Sequence, residues 1–298
     1  MTSTIDAALV KSLFPNRSAL GNKGIFGSAL LIAGSQHYTG AALLAGRACL
    51  RSGPGLVFMG IPSCLHMPLS AALPEAIWEI LPSEDGALSE GAAEVLAGLL
   101  HGKSALLIGP GLGQLPGTRL FFHKLFYQVL PQSNTSLKVL FDADALNLLA
   151  GLPDWAGQLP QKIILTPHHR EMSRLTNLPV EEISDAPAEI AVQSAERWQA
   201  IVVLKGAATV IAAPDREARL LNQPTSALAH GGTGDVLAGM ITGLLAQGIS
   251  PFDAATISVF VHNLSARNAQ KTIGWAGSVL PGDLIRQLGQ AYATVSPD

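Results

Sequence analysis

Short, unbroken apolar runs that stop abruptly on a turn set the tightest constraint on how this chain folds. Ser28–Ala33 stops at Gly34-Ser35, Ala105–Ile108 at Gly109-Pro110-Gly111-Leu112-Gly113, and Lys138–Phe141 at Asp142-Ala143-Asp144. Lys162–Leu165 runs into Thr166-Pro167-His168, and Ile201–Leu204 into Lys205-Gly206. A strand with one wet face alternates apolar and polar residues, whereas one covered by helices on both faces is apolar throughout. Thr39–Arg51, with helical spacing, lies between the strands Ser28–Ala33 and Gly55–Ile61. That is a βαβ unit, which implies parallel pairing and a right-handed crossover. After Lys205 the texture changes: Ala208–Ala213, a Pro214-Asp215-Arg216 turn and Ala218–Asn222 predict an antiparallel hairpin. Two helices, about Asp235–Gln247 and Pro251–Gln270, are expected to close the chain. No long linker and no internal repeat interrupts the pattern, so residues 1–298 are expected to form one α/β domain around a mainly parallel, doubly wound sheet.

Composition narrows the class of function. With 48% hydrophobic and only 14% charged residues, the chain has apolar material for one extensive core. A net charge of −3 leaves no basic footprint for nucleic acid or an anionic membrane surface. The uncharged stretch after Asp235, Val236–Phe252, is broken by Gly239, Gly243, Gly248 and Pro251, and reads as a buried helix rather than a membrane span. Cys49 and Cys64 lack metal-type spacing, and Met1–Asn16 lacks a basic region followed by an apolar core. The expectation is a soluble cytoplasmic protein.

In an open parallel sheet, ligands sit at the carboxyl ends of the strands. The polar clusters of this chain all follow strand ends directly. The strongest is Gly231-Gly232-Thr233-Gly234-Asp235, which opens a helix whose apolar face repeats at Val236, Leu237, Met240, Ile241 and Leu244. Glycines turn successive amides toward one centre, and a helix N-terminus favours an anion, so Gly232, Thr233 and Gly234 form a candidate anion hole. Asp235, ionised at that helix start, can take a proton from a substrate hydroxyl while the amides hold a phosphoryl group. The alternative is that Asp235 merely caps the helix. Asp142, Asp144 and Asn147 are either metal or ribose ligands or caps of the following helix. His168 and Glu171, three apart, share one side of a helical turn; Glu171 is a magnesium-type acid or part of a solvated helix start. Lys205 or Thr209 contacts phosphate, or Lys205 snorkels to solvent. Gly109–Gly113 brings backbone close to a ligand or only turns the chain. No Gly-x-x-x-x-Gly-Lys-Ser/Thr loop and no Gly-x-Ser-x-Gly elbow is present.

Together with Asn22-Lys23-Gly24, Gly27, Thr39-Gly40-Ala41 and Arg51-Ser52-Gly53, these motifs resemble, in order from about residue 20 onward, the ADP/ATP-dependent NAD(P)H-hydrate dehydratases. The resemblance implies a ribokinase-like three-layer α/β/α fold and repair of (6S)-NADHX and (6S)-NADPHX to NADH and NADPH. It implies ADP or ATP as co-substrate, Mg2+ as cofactor and a homo-oligomer, a tetramer, as assembly. Ala41, Gly111, His168 and Asp235 fall where the family contacts the hydrate, with Asp235 as its catalytic carboxylate. Lys205, Gly206, Ala207, Ala208, Thr209 and Gly234 fall where it holds the nucleotide. Glu171 matches the acid that the wider ribokinase group associates with magnesium through water. The chain departs from the family at Asn22, at His169-Arg170 and at His230, and an N-terminal epimerase domain is not expected. Two other readings stay open: a ribokinase-like kinase for a vitamin-precursor alcohol such as hydroxyethylthiazole, and a nucleotide sensor without turnover.

Overall fold

A computed structural model describes residues 2–14 and 17–297; Met1, Pro15, Asn16 and Asp298, which the expected domain and N-terminal reading include, lie outside the described residues. The strands are β1 (Thr2–Thr4), β2 (Ser28–Ile32), β3 (Leu56–Pro62), β4 (Ile77–Leu81), β5 (Ser83–Glu84), β6 (Ala87–Leu88), β7 (Ala105–Ile108), β8 (Lys138–Phe141), β9 (Ile164–Leu165), β10 (Ile201–Leu204), β11 (Thr209–Ala212) and β12 (Ala218–Leu221). The helices are α1 (Ala7–Leu13), α2 (Thr39–Arg51), α3 (His66–Ala72), α4 (Ala92–Leu99), α5 (Pro116–Lys124), α6 (Asp144–Leu149), α7 (His169–Thr176), α8 (Val180–Asp185), α9 (Pro187–Trp198), α10 (Thr233–Ala246), α11 (Pro251–Ile273) and α12 (Pro281–Ala293).

Ten strands form one sheet in the order β1-β12-β11-β10-β9-β8-β7-β2-β3-β4, and β5 and β6 make a separate hairpin. Pairing is parallel throughout the sheet except where β11 runs antiparallel to β10 and β12. The continuous apolar runs have the expected cause. Leu107, Leu140 and Val203 point into one helix-covered core, and their neighbours Leu106, Val139 and Val202 into the other. From β2 the chain steps outward to β3 and β4, then resumes at β7 on β2's other side and proceeds to β8, β9 and β10. The strand order therefore reverses between β2 and β7, where the crevice of a doubly wound sheet opens.

The βαβ unit, the hairpin and four of the five turn-bounded strands match expectation to within a residue or two. Three elements differ. The strand expected over 162–165 shrinks to Ile164–Leu165, because Lys162 sits at φ 62°, outside the extended region. Three helices, not two, close the chain, since α12 follows α11 after a short turn. Helix α10 starts at Thr233, so Asp235 lies within its first turn rather than at its cap.

The small-residue helix α2, open between core and interface from its sequence, packs against α10 in the core. The two approach so closely that a Cβ on Gly239 would stand 2.2 Å from Ala45 O. Gly239→Ala is expected to destabilise the protein by about 1–3 kcal/mol through overpacking. Gly289→Ala, in α12 with open space around it, should instead stabilise by roughly 0.5–1 kcal/mol from helix propensity. Chemical denaturation of both variants checks the pair.

Candidate active site

Strand ends β8, β9 and β10 bring three polar side chains to one point. Asp142 follows β8 and is 1% exposed. Its Oδ1 accepts from Lys205 Nζ at 2.6 Å and from Thr166 Oγ1 at 2.7 Å. The sheet continues past the strands: the Lys205 amide donates to Pro167 O at 2.8 Å, and His168 bridges to Lys205 in parallel. Burial pulls the Lys205 pKa down, but the Asp142 and Glu171 carboxylates outweigh it, and the net shift is upward. The ammonium therefore stays charged; it turns inward to Asp142 rather than snorkelling to solvent.

Neither aspartate of the Asp142-Ala143-Asp144 turn caps α6. Ala143 occupies the cap position at φ 50°, ψ −119°, without a side-chain bond. That conformation costs on the order of 1–3 kcal/mol and sends the flanking carboxylates apart. Asp144 Oδ2 accepts from the Gly113 amide at 2.9 Å, tying α6 to the β7 loop.

His168 and Glu171 cap α7 reciprocally. His168 Nδ1 accepts from the amides of Arg170 and Glu171, each at 3.1 Å, while Glu171 Oε2 accepts from the His168 amide at 2.8 Å. With Nδ1 committed as acceptor, the neutral ring carries its proton on Nε2, which faces Glu171 Oε1 at 3.4 Å. Burial lowers the His168 pKa in agreement. Glu171 is only 5% exposed, so the helix start is not solvated. Burial pushes its carboxyl up to about 7 against the pull of Lys205. His169, one of the departures from the family pattern, lies against the Gly206 backbone.

The Gly231–Asp235 turn is held from three sides. Gly232 caps α10 at φ 95°, a conformation suited to glycine. Thr233 Oγ1 donates to Leu228 O and His230 O, both at 2.9 Å. His262, buried on α11, contacts Thr233 O through Nε2 at 2.9 Å; burial lowers its pKa to about 4, so it is neutral and donates. Among the described residues, the amides of Gly231, Gly232, Gly234 and Asp235 find no partner. Thr233's amide turns to His230 O at 3.4 Å, so of the expected anion hole Gly232 and Gly234 remain free to donate, joined by the Asp235 amide. The Asp235 carboxylate makes no capping bond. The expectation that the helix start keeps it ionised is incomplete: burial first, then Asp142, raise it to about 7, with Lys205 opposing.

Asp142, His168, Glu171, Lys205, Gly206, Ala207, Thr209, Gly232, Thr233, Gly234 and Asp235 line one cleft of about 760 Å³. Ala208 is not among its lining. Gly111 and Ala41 stand outside it at the β2/β7 reversal, where a Cβ on Gly111 would meet Ala41 Cβ at 2.8 Å. The cleft also includes Thr225, Ser226, Leu228 and His262, which the sequence motifs do not single out. Among the described residues, no group of three or more His, Cys, Asp or Glu side chains is arranged to hold a metal, and no helix is long and apolar enough to cross a membrane.

A doubly wound sheet with a carboxylate and free amides at the start of a buried helix defines a ribokinase-like α/β protein. A solved Enterococcus faecalis structure described as a ribokinase-like superfamily protein matches at TM-score 0.84 and 25% identity, covering 100% of this chain and 97% of that one. The NAD(P)H-hydrate dehydratase family profile matches residues 29–290, and the chain belongs to that family. The ADP-dependent (S)-NAD(P)H-hydrate dehydratase of Bacillus subtilis is 37% identical over 257 residues, 86% of each chain. A Bacillus subtilis ADP/ATP-dependent NAD(P)H-hydrate dehydratase co-crystallised with ATP/Mg2+ matches at TM-score 0.84 and 32% identity, covering 99% of both chains. The bifunctional NAD(P)H-hydrate repair enzyme Nnr of Moorella thermoacetica is 36% identical over 282 residues, 94% of this chain and 52% of that one. This chain thus spans about half the length of the bifunctional relatives it matches. Hydroxyethylthiazole kinase of Pyrococcus horikoshii, at TM-score 0.57 and 15% identity, shares the fold alone.

The raised Asp235 carboxyl has a stability cost with a definite sign. Its folded pKa of about 7 exceeds the ordinary 3.8, so the folded state binds the proton more tightly. Stability is therefore lost as pH rises from about 4 through about 7. Asp235→Asn should melt higher than the native protein at pH 8, by roughly 2–4 °C per kcal/mol recovered, and the gain should vanish near pH 4. Scanning calorimetry at the two pH values reads it.

Proposed function

We propose that this chain catalyses the ADP- or ATP-dependent dehydration of (6S)-NADHX and (6S)-NADPHX to NADH and NADPH. The observation that carries the reading is the half-buried Asp235 carboxylate beside unpartnered amides at the α10 N-terminus, within a cleft that also holds Lys205. Family membership supplies the substrate.

In this reading the terminal phosphate lies on the amides of Gly232, Gly234 and Asp235, where the helix dipole and N–H groups favour an anion. Asp235 takes the proton of the 6-hydroxyl. The oxygen then attacks the terminal phosphorus, and the phosphoanhydride bond breaks to release ADP from ATP, or AMP from ADP. The resulting C6 phosphoester loses inorganic phosphate as the ring nitrogen donates its electron pair, and loss of the C5 proton restores the C5–C6 double bond. A base near pKa 7 suits the first step, because about half of it is deprotonated at neutral pH and that form is still basic enough to accept the proton. Lys205 offsets the charge that accumulates on the phosphoryl oxygens. His168, fixed with its proton on Nε2, offers a donor to the hydrate. Ala41 and Gly111 take part as the β2/β7 wall that the substrate's remaining length reaches.

The donor set fits Mg2+ in one way. Glu171 supplies oxygen, the ligand type magnesium prefers, but its Oε2 is already committed to the His168 amide. It would hold the ion through water, with phosphate oxygens as the direct ligands. Bound there, magnesium would neutralise charge on the transferring phosphoryl group.

The unbroken ten-stranded sheet supports reading residues 1–298 as one catalytic domain. Two free cysteines, Cys49 and Cys64, support a reducing compartment, the cytoplasm. A homo-oligomer, a tetramer, is the assembly this reading takes from the family resemblance.

Asp235→Asn is expected to lower turnover by about a hundred- to ten-thousandfold, as loss of a general base does, while nucleotide affinity changes little. The assay supplies NADHX, ADP or ATP and Mg2+ and follows recovery of dihydronicotinamide absorbance with release of phosphate. Undiminished turnover in the variant contradicts the role of Asp235. No recovery of NADH by the native protein, with a stable phosphorylated alcohol formed from another substrate, would identify a kinase instead.

A further inference from the structure

Asn263 stands one residue after His262 on α11 and is 6% exposed. Its Nδ2 donates to Gln223 O at 2.8 Å, which fixes the orientation of the amide. Oδ1 is left sealed from water without any hydrogen-bond partner. A buried acceptor without a donor keeps the cost of its lost hydration, and native folds leave few such groups unpaired.

The surroundings of Asn263 say what would satisfy it. It lines a slot of about 60 Å³, with Gly206, Thr209, Leu228, Leu237 and Val259 among the other walls. The slot shares Gly206, Thr209, Leu228, Leu237 and His262 with the main cleft, so it is a side recess of that cleft. By the room one water needs, it has space for about four water-sized groups, enough for one edge of a flat ring but not for a whole purine. Leu228, Leu237 and Val259 offer the apolar surface on which an aromatic base packs. The Lys205–Thr209 loop runs between the Asp142 ion pair and this recess. A nucleotide with its phosphates on the α10 amides would therefore turn its base toward α11.

We propose that Asn263 Oδ1 receives the exocyclic amino group of the adenine ring, so that this residue separates 6-amino from 6-oxo purine nucleotides. The inference rests on the nucleotide reading above and adds the group that reads the base. Adenine presents an N–H donor at its 6-position. Hypoxanthine and guanine present a carbonyl oxygen there, which would set acceptor against acceptor. Admission of the base edge requires the wall to shift slightly, and the wall includes the single helical turn Ser226–Leu228.

ADP and IDP differ only in the chemistry of this purine edge, which makes them the probes. Calorimetric titration of the intact protein with Mg2+ present should show ADP binding at least about tenfold tighter than IDP. Asn263→Leu should weaken ADP by about tenfold and leave IDP within about twofold. Equal affinity of the native protein for the two nucleotides overturns the proposal while leaving the phosphoryl-transfer reading intact. So does unchanged ADP affinity in the variant. If Asn263→Leu does not fold, the ADP-to-IDP ratio of the native protein alone decides. Failure of both nucleotides to bind overturns both readings.

Discussion

The buried ion pair between Asp142 and Lys205 is the interaction on which the rest of the site depends. A carboxylate 1% exposed is tolerated only with a charge partner and further donors, and Lys205 and Thr166 supply both on a single oxygen. Those three residues end three adjacent parallel strands, so the pair also locks the strand ends into register. Everything catalytic is then measured from it. Its lysine moderates Glu171 and Asp235, and its aspartate helps to raise Asp235. Removal of the lysine alone would leave a cluster of carboxylates without compensation.

The same arrangement explains why a site so rich in acids can bind a polyanion. Asp142 is neutralised by Lys205, while burial holds Asp235 and Glu171 close to half-protonated at neutral pH. In the proposed function, anion affinity comes chiefly from amides that carry partial positive charge without a counter-anion. Thr233 and His262 keep those amides aimed by fixing the turn from its far side. In the proposed function the division is physical: side-chain carboxylates handle protons, and the backbone does most of the work of holding phosphate. The fold locates both at strand and helix ends because both faces of the sheet are sealed by helices.

Much of this was legible in the sequence, and the unread parts share a cause. Strands such as Ala105–Ile108 and Ile201–Leu204 could be read because burial on both faces makes them uniformly apolar. Edge strands lack that signature: Ile77–Leu81 is half exposed, and Thr2–Thr4 is too short and polar to register. Helix α12 did carry a start signal, Pro281 followed by Asp283, whose carboxylate accepts from the Leu280 amide at 2.8 Å. Within the site, Asp235 and the glycine turn were evident because they are contiguous. The Asp142–Lys205 pair spans 63 residues and His262–Thr233 spans 29, so neither has a local pattern. His262 and Asn263 sit in an otherwise apolar stretch of α11, and a polar pair inside a buried helix was the one available hint.

The central claim is that water leaves the hydrate as phosphate, because Asp235 and the amides first transfer a phosphoryl group to its hydroxyl. Isotopic labelling tests this most directly. With oxygen-18 in the 6-hydroxyl of the hydrate, turnover in the presence of ADP or ATP should place the label in the released inorganic phosphate, one labelled phosphate per NADH formed. Recovery of the label in water, with unlabelled phosphate, would show that dehydration and nucleotide cleavage are separate events and would contradict the account.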